Sequence, residues 1–184
     1  APQTETENCV AHNGSIIPVQ GRDIFIQAWY QGGISVVDFT DSSNPQEIAY
    51  FDRGPIMEDE LVTGGYWSVY YYEGFVYATE ITRGLDVLKL MPSEYLSQNE
   101  IAAAALAYPL IGPHRSFNPQ QQMPMTWPEK PEVALAYIDQ LTRSGDIDIT
   151  IAANISRKLD RVNPALQKGG DRRLAEQISA LQKS

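Results

Sequence analysis

The sequence predicts a mainly β N-terminal region, made of two antiparallel four-stranded blades of the propeller type, followed by a small C-terminal α-helical bundle. Three observations predict it. The stretch from Asp23 to Thr40 alternates Ile, Val, Phe and Trp with polar residues on both sides of Gly32-Gly33, the pattern of two short strands joined by a glycine turn. The segment from Gly74 to Leu90 superimposes on it without gaps at an offset of 51 residues, with Gly84 on Gly33, Leu85 on Ile34, Val87 on Val36 and Leu90 on Phe39. Beyond residue 131 the apolar period changes from two to about 3.6, which marks helices.

Taken in order, residues 1–8 are polar and aperiodic, as a frayed end or linker would be. Cys9 to Val19 reads as a strand interrupted by Pro18, and Gln20-Gly21-Arg22 turns the chain into the central hairpin. Thr40 to Pro45 is dense in turn formers, since Asp41 and Asn44 bond nearby backbone and Pro45 fixes its own φ. Gln46 to Asp52 completes the first unit. Arg53 to Val62, with Glu58-Asp59-Glu60, is an exposed connection. In the second unit Gly64 to Tyr72 matches the first strand, Glu73-Gly74 the turn, and Phe75 to Leu90 the hairpin. Pro92 to Asn99 is expected to form a helical turn capped by Ser93. Glu100-Ile101-Ala102 echoes Glu47-Ile48-Ala49 and is expected to supply the fourth strand. A four-strand unit recurring every 40–50 residues is the pattern of propeller blades.

The run Gly32-Gly-Ile-Ser-Val-Val-Asp-Phe-Thr-Asp-Ser-Ser-Asn-Pro45 resembles the LVIVD repeat, with Ser42 in place of the first proline of that motif and a degenerate second copy at Leu85-Asp-Val-Leu-Lys-Leu90. The resemblance covers residues 12–102. It implies propeller blades and a secreted or surface location in bacteria or archaea.

Tyr108 to Pro131 carries prolines at 109, 113, 119, 124, 128 and 131, a spacing that forbids continuous helix. It is either an extended linker or a strap anchored by Phe117 and Trp127. Glu132 to Arg143 sets Val133, Ala136, Tyr137 and Leu141 near one helical face, and Gly145 is its stop. Residues 149–162 repeat the pattern with Ile151, Ile155, Leu159 and Val162. A last helix starts at Asp171 with Leu174, Ile178 and Leu181 along one stripe. Ile155 to Gly169 is similar to the FIMAH-type accessory module of secreted bacterial enzymes and surface proteins, a match that spans residues 131–182. The expected organisation is thus 1–107 blades, 108–131 linker or strap, and 132–184 helical module.

The 184 residues are 43% hydrophobic and 20% charged, ordinary for a folded protein. The net charge of −9 is uneven: residues 1–129 hold 5 basic and 16 acidic groups, whereas 130–184 hold 9 and 7. So acidic a first part repels phosphate, which argues against nucleic-acid partners. No run is apolar and long enough for a transmembrane helix. The single Cys9 forms no intrachain disulfide. The chain begins at Ala1, and two blades do not close a ring, so a protein partner or missing N-terminal blades of the same chain are expected to complete it.

Site candidates are few. Cys9-x-x-His12-Asn13 places potential ligands at the start of an innermost strand, where a propeller channel would lie. Two histidines and one cysteine cannot build a transition-metal site without carboxylates or a second chain. Hydrogen bonding is the simpler role for His12, and His114 reads as surface. Asp38 and Asp86 are out of repeat register and form no paired-carboxylate centre. Trp67 and Tyr70, in the Tyr66–Tyr72 run, are candidates for an interaction surface, together with Phe117 and Trp127, although such aromatics also serve as core. No catalytic constellation and no cofactor motif is present. The expected function is a non-catalytic, extracytoplasmic binding or scaffold protein within a larger propeller or multi-protein assembly. The alternative is a metal-assisted hydrolase or oxidoreductase working at a propeller channel.

Overall fold

The computed structural model describes residues 3–110, 123–161 and 176. The chain divides into two compact units, Ala1–Trp127 and Pro128–Ser184.

The first unit starts with an antiparallel four-stranded meander: β1 (Gly14–Ile17), β2 (Ile24–Ala28), β3 (Ile34–Asp38) and β4 (Gln46–Phe51). The β-branched alternation in Ile24-Phe-Ile-Gln-Ala28 sends Ile24, Ile26 and Ala28 to one face, where all three are buried. Ile17, Ile34 and Val36 lie on the same face through the pairs Ile17–Ile24, Ala28–Ile34 and Ile26–Val36. The turn between β2 and β3 differs from expectation. The left-handed positions are Tyr30 (φ 51°) and Gly33 (φ 83°), while Gly32 does not need its permissiveness. At Gly33 a Cβ would come within 2.3 Å of the Phe51 carbonyl oxygen, so β4 can close on the turn only over a glycine.

A second antiparallel sheet follows, with β5 (Tyr66–Tyr72), β6 (Phe75–Glu80) and β7 (Gly84–Leu88). Its hairpin repeats the register of the first. Phe25 pairs with Val37 and Val76 with Leu88; Ala28 pairs with Ile34 and Thr79 with Leu85. Both strands are thus displaced by 51 residues, as in the gapless superposition. Ile34 and Leu85 hold the same place in their ladders, but their surroundings differ: Ile34 is 3% exposed and Leu85 61%. The second sheet packs its Val69, Tyr71, Val76 and Ala78 face onto the Ile17, Ile24 and Ile26 face of the first. Burying each such aliphatic side chain contributes about 1.5–3 kcal/mol, so this seam is the core.

The expected fourth strand of the second sheet does not form. Residues 98–105 are instead helix α1 (Gln98–Ala105). The cause is local. Ser97 accepts from the Glu100 N–H while the Glu100 carboxylate accepts from the Ser97 N–H, a complete capping box ahead of four alanines. The cap is therefore Ser97 rather than Ser93. The Glu100-Ile101-Ala102 echo of the first unit is a coincidence of composition, overridden by helix propensity. The structure is accordingly mixed, and its described residues close neither a barrel nor a propeller ring.

Two arginine clamps fasten the unit. Arg22 donates to Asp38 at 2.5 Å, to Glu100 at 2.8 Å and to the Tyr95 carbonyl at 2.7 Å, joining the β1–β2 turn to β3 and to α1. Arg53 donates to Asp86 at 2.6 Å, and the same carboxylate accepts from the Tyr66 hydroxyl at 2.5 Å. Asp38 and Asp86 therefore serve separate clamps, as their different repeat positions require. Burial opposes ionisation of Asp38, but hydrogen bonds from Thr40 and Arg22 outweigh it and hold its carboxyl below the ordinary 3.8. Burial and the bond to Asp86 both push the Tyr66 phenol well above its ordinary range.

Part of the proline-rich stretch is an ordered strap. β8 (Tyr108–Pro109) pairs with β9 (Met125–Thr126), and the Trp127 indole donates to the Pro18 carbonyl at 3.2 Å. Trp127 is thus an anchor of the first unit. Phe117 and His114 lie outside the described residues.

The second unit contains α2 (Pro131–Ser144) and α3 (Ile149–Leu159), which pack against each other. Pro131 occupies the first turn of α2, and Gly145 ends it at φ 81°. Asp148 caps α3 by accepting from the Thr150 and Ile151 N–H groups. Among the described residues of this unit, Pro131, Leu135, Ala136 and Ala152 are buried and apolar. Apart from Glu176, the expected third helix lies outside the described residues.

Two stability outcomes follow. At Gly65 (φ 93°) a Cβ would sit 2.0 Å from the Tyr30 carbonyl carbon, whereas at Gly84 (φ 97°) it would meet open space. Gly65→Ala is expected to cost about 3 kcal/mol or more, and Gly84→Ala about 1–2 kcal/mol, read as urea unfolding midpoints by circular dichroism. Arg22→Met removes the cation paired with the fully buried Glu100 and is expected to cost about 3–5 kcal/mol. Because the folded Asp38 pKa is depressed, its contribution is complete above about pH 4 and fades as pH falls further. Removing Arg22 should flatten the fall in stability below that pH.

Candidate functional site

The stacking order of the two sheets decides which of their faces is left open among the described residues. Neighbouring residues on a strand point to opposite faces. Ile34 and Val36 lie on the face of the first sheet that the second sheet covers. Their repeat equivalents, Leu85 and Val87, lie on the far face of the second sheet, where Val87 is 52% exposed. The sheets therefore stack head to tail, and the last face of the stack is the counterpart of a core face. Tyr70 and Tyr77 pair across β5 and β6 on this face, as do Tyr72 and Phe75, and Tyr77 continues to Val87. Single exposed apolar residues mean little, but these side chains adjoin one another as an aromatic and aliphatic patch. Tyr70, a sequence candidate, belongs to it.

The patch ends at β7, the outer edge of the described second sheet. Beneath that edge a cleft of about 640 Å³ opens between the two sheets. Its walls include Ile34, Val36, Ile48, Phe51, Val76 and Leu88, with Glu47 and Lys89 the charged groups along it. The cleft exists because β4 of the first sheet has no fourth strand above it in the second.

Trp67, at the irregularity between Tyr66 and Ser68 in β5, lies elsewhere. Its ring meets the His12 imidazole at 4.1 Å between centroids, and the Tyr30 ring closes the cluster at 5.2 Å from His12 and 5.9 Å from Trp67. His12 and Trp67 are both exposed. The His12 N–H bonds the Ala28 carbonyl at 2.9 Å, so the residue carries the β1–β2 pairing one step further while its ring stacks on aromatics. Cys9 sits over Gly32 and donates to the Glu7 carbonyl. Burial, with Glu7 and Asp52 nearby, pushes its thiol up, away from the reactive thiolate. Asn13 uses its carbonyl to accept from the Ala28 N–H at 3.0 Å. Among the described residues no three His, Cys, Asp or Glu side chains converge on one point.

Glu80 escaped the sequence reading. It is buried, and its carboxylate accepts from the N–H groups of Gly65 at 2.5 Å, Thr82 at 3.0 Å and Arg83. It organises the β6–β7 turn and the entry to β5. An acidic residue at an inward position of an apolar strand was the one available signal.

No known protein family, curated protein or solved structure matches this chain. Among the described residues, no helix is long and apolar enough to cross a membrane.

The stacking of His12 on Trp67 carries a direct optical consequence. His12→Ala is expected to shift tryptophan emission to longer wavelength and to raise acrylamide quenching, because Trp67 loses its cover. Unchanged spectra would show that the two rings do not associate in solution.

Proposed function

We propose that this chain is a non-catalytic binding and scaffold protein, one part of a larger β-propeller or multi-protein assembly that works outside the cytoplasm. One observation carries the reading. The uncovered Tyr77, Leu85 and Val87 face is the repeat counterpart of the face that the first sheet buries under the second. A surface built to the pattern of a core face gains most from a further sheet stacked on it, and packed sheets of this kind lie about 10 Å apart. The two sheets are on this reading successive blades, the second of them short of its outer strand. The resemblance of residues 32–45 to the LVIVD repeat, and of residues 155–169 to the FIMAH-type module, supports the blade assignment and the extracytoplasmic setting. The acidic character of residues 1–129 supports protein rather than nucleic-acid partners.

Native mass spectrometry of the protein isolated from its source tests this. The expected result is a complex heavier than the 20.5 kDa chain, which Leu85→Asp disperses while leaving the fold intact, since the residue is exposed. A stable 20.5 kDa monomer would count against the proposal.

A further inference from the structure

We propose that the β7 edge and the cleft beneath it accept an extended strand from a separate protein, laid antiparallel to β7 with alternate apolar side chains in the cleft and basic residues at its flanks. The inference rests on the blade reading above and gives the partner its chemistry.

The first sheet shows what belongs at this edge. There β4 lies antiparallel on β3, with Ile34 opposite Phe51, Ser35 opposite Tyr50 and Val36 opposite Ala49. Displaced by 51 residues, the same ladder would set guest residues opposite Leu85, Asp86 and Val87. After β7 the chain leaves for α1 instead of returning, so this place is vacant among the described strands. The edge carries only part of the usual protection, the inward charge of Asp86, which Arg53 already pairs. Gly84-Leu-Asp-Val-Leu88 has no proline and no irregularity in its pairing, and its residues 85 and 87 are exposed and apolar.

The cleft is where the inward side chains of such a strand would go. Asp86 and Leu88 face the first sheet, because their partners Ala78 and Val76 are buried against it. A guest residue opposite Leu88 would enter the cleft, whose Ile34, Val36, Val76 and Leu88 walls continue the core between the sheets, while one opposite Asp86 would lie beside the Arg53–Asp86 pair. At about 640 Å³ it has room for several side chains. Main-chain bonds would supply the affinity and the alternate side chains the selectivity, as in other strand-addition complexes. With 16 acidic and 5 basic groups over residues 1–129, the surrounding unit attracts a guest with basic flanks.

The probe is a fluorescent peptide of alternating valine and threonine between lysine pairs, titrated with the intact chain and followed by anisotropy. Saturable one-to-one binding that weakens as salt rises is expected. Two N-methylated versions, blocking alternate amide sets, separate strand addition from simple sticking. One set faces the β7 edge and should lose about tenfold or more in affinity, while the other keeps it. Tyr72→Asp, on the outer face but two strands away from β7, should leave peptide binding intact. The strand site and the outer-face reading can therefore fail separately. Absence of saturable binding overturns the proposal, as does equal binding by both methylated peptides. Sedimentation showing a β7-to-β7 dimer, dispersed by the peptide, would assign the edge to a second copy and overturn it too.

Discussion

The two backbone hydrogen bonds between Tyr30 and Tyr66, at 3.2 and 2.8 Å, are the constraint on which the packing of the first unit turns. They tie the β2–β3 turn of one sheet to the first strand of the next. The approach is so close that Gly65 must lack a Cβ, and Tyr30 must take the left-handed backbone that glycine usually supplies. Once that join is made, β5 lies over β1 and β2, and the Tyr71 N–H reaches the buried Ser15 hydroxyl at 2.9 Å. The apolar faces then meet without choice of register. Glu80 holds the join from the other side by binding the Gly65 N–H.

Each arginine clamp answers a weakness of a small stacked unit. The β1–β2 turn is long, and without Arg22 it would hang free of the helix that closes that end. A guanidinium with five donors can serve Asp38, Glu100 and a carbonyl at once, which a lysine ammonium cannot do in a fixed plane. Arg53 does the equivalent for the exit from β4, with its guanidinium also 5.6 Å from the centre of the Phe51 ring. The clamps bridge sequence-distant segments, so they belong to the assembled fold and not to any hairpin alone.

The hairpins, the repeat and the 51-residue offset were legible in the sequence because strand period and turn glycines are local signals. So were α2 and its Gly145 stop. The fate of residues 98–105 was not, because a three-residue echo of Glu47-Ile48-Ala49 looks like a strand until the Ser97–Glu100 box and the alanine run are weighed together. The left-handed residue of the β2–β3 turn was hidden for another reason. Glycine propensity points to Gly32, but the neighbouring sheet fixes the turn at Tyr30, a long-range effect. The Cys9 and His12 spacing suggested shared ligation. The chain instead turns His12 to Trp67 and Cys9 to Gly32, since three residues of irregular backbone carry no fixed face. The Leu85 and Val87 surface could be named from the sequence but not placed. Only the stacking order tells which copy is covered.

That order also gives the stack a direction. Were equivalent faces to meet, two sheets would satisfy each other and the arrangement would be closed. Here the covering face of the second sheet, with Val69, Tyr71, Val76 and Ala78, corresponds through the ladders to Gly14, Ile16, Phe25 and Gln27 on the back of the first. Two apolar positions have become Gly14 and Gln27. Phe25 lies over Gly14, where a Cβ would stand 2.5 Å from its ring. Ser35 and the exposed Tyr50 share that back face through their pairing. The back of the first sheet is thus mixed, with Gly14, Gln27 and Ser35 among Ile16, Phe25 and Val37, whereas the front of the second keeps the pattern of a core. Such a stack is finished at one end only. A copy of the same chain would offer that open face a less apolar back than the second sheet offers the first, which disfavours simple head-to-tail repetition. On the blade reading, a sheet whose back is as apolar as that of the second would fit this face best.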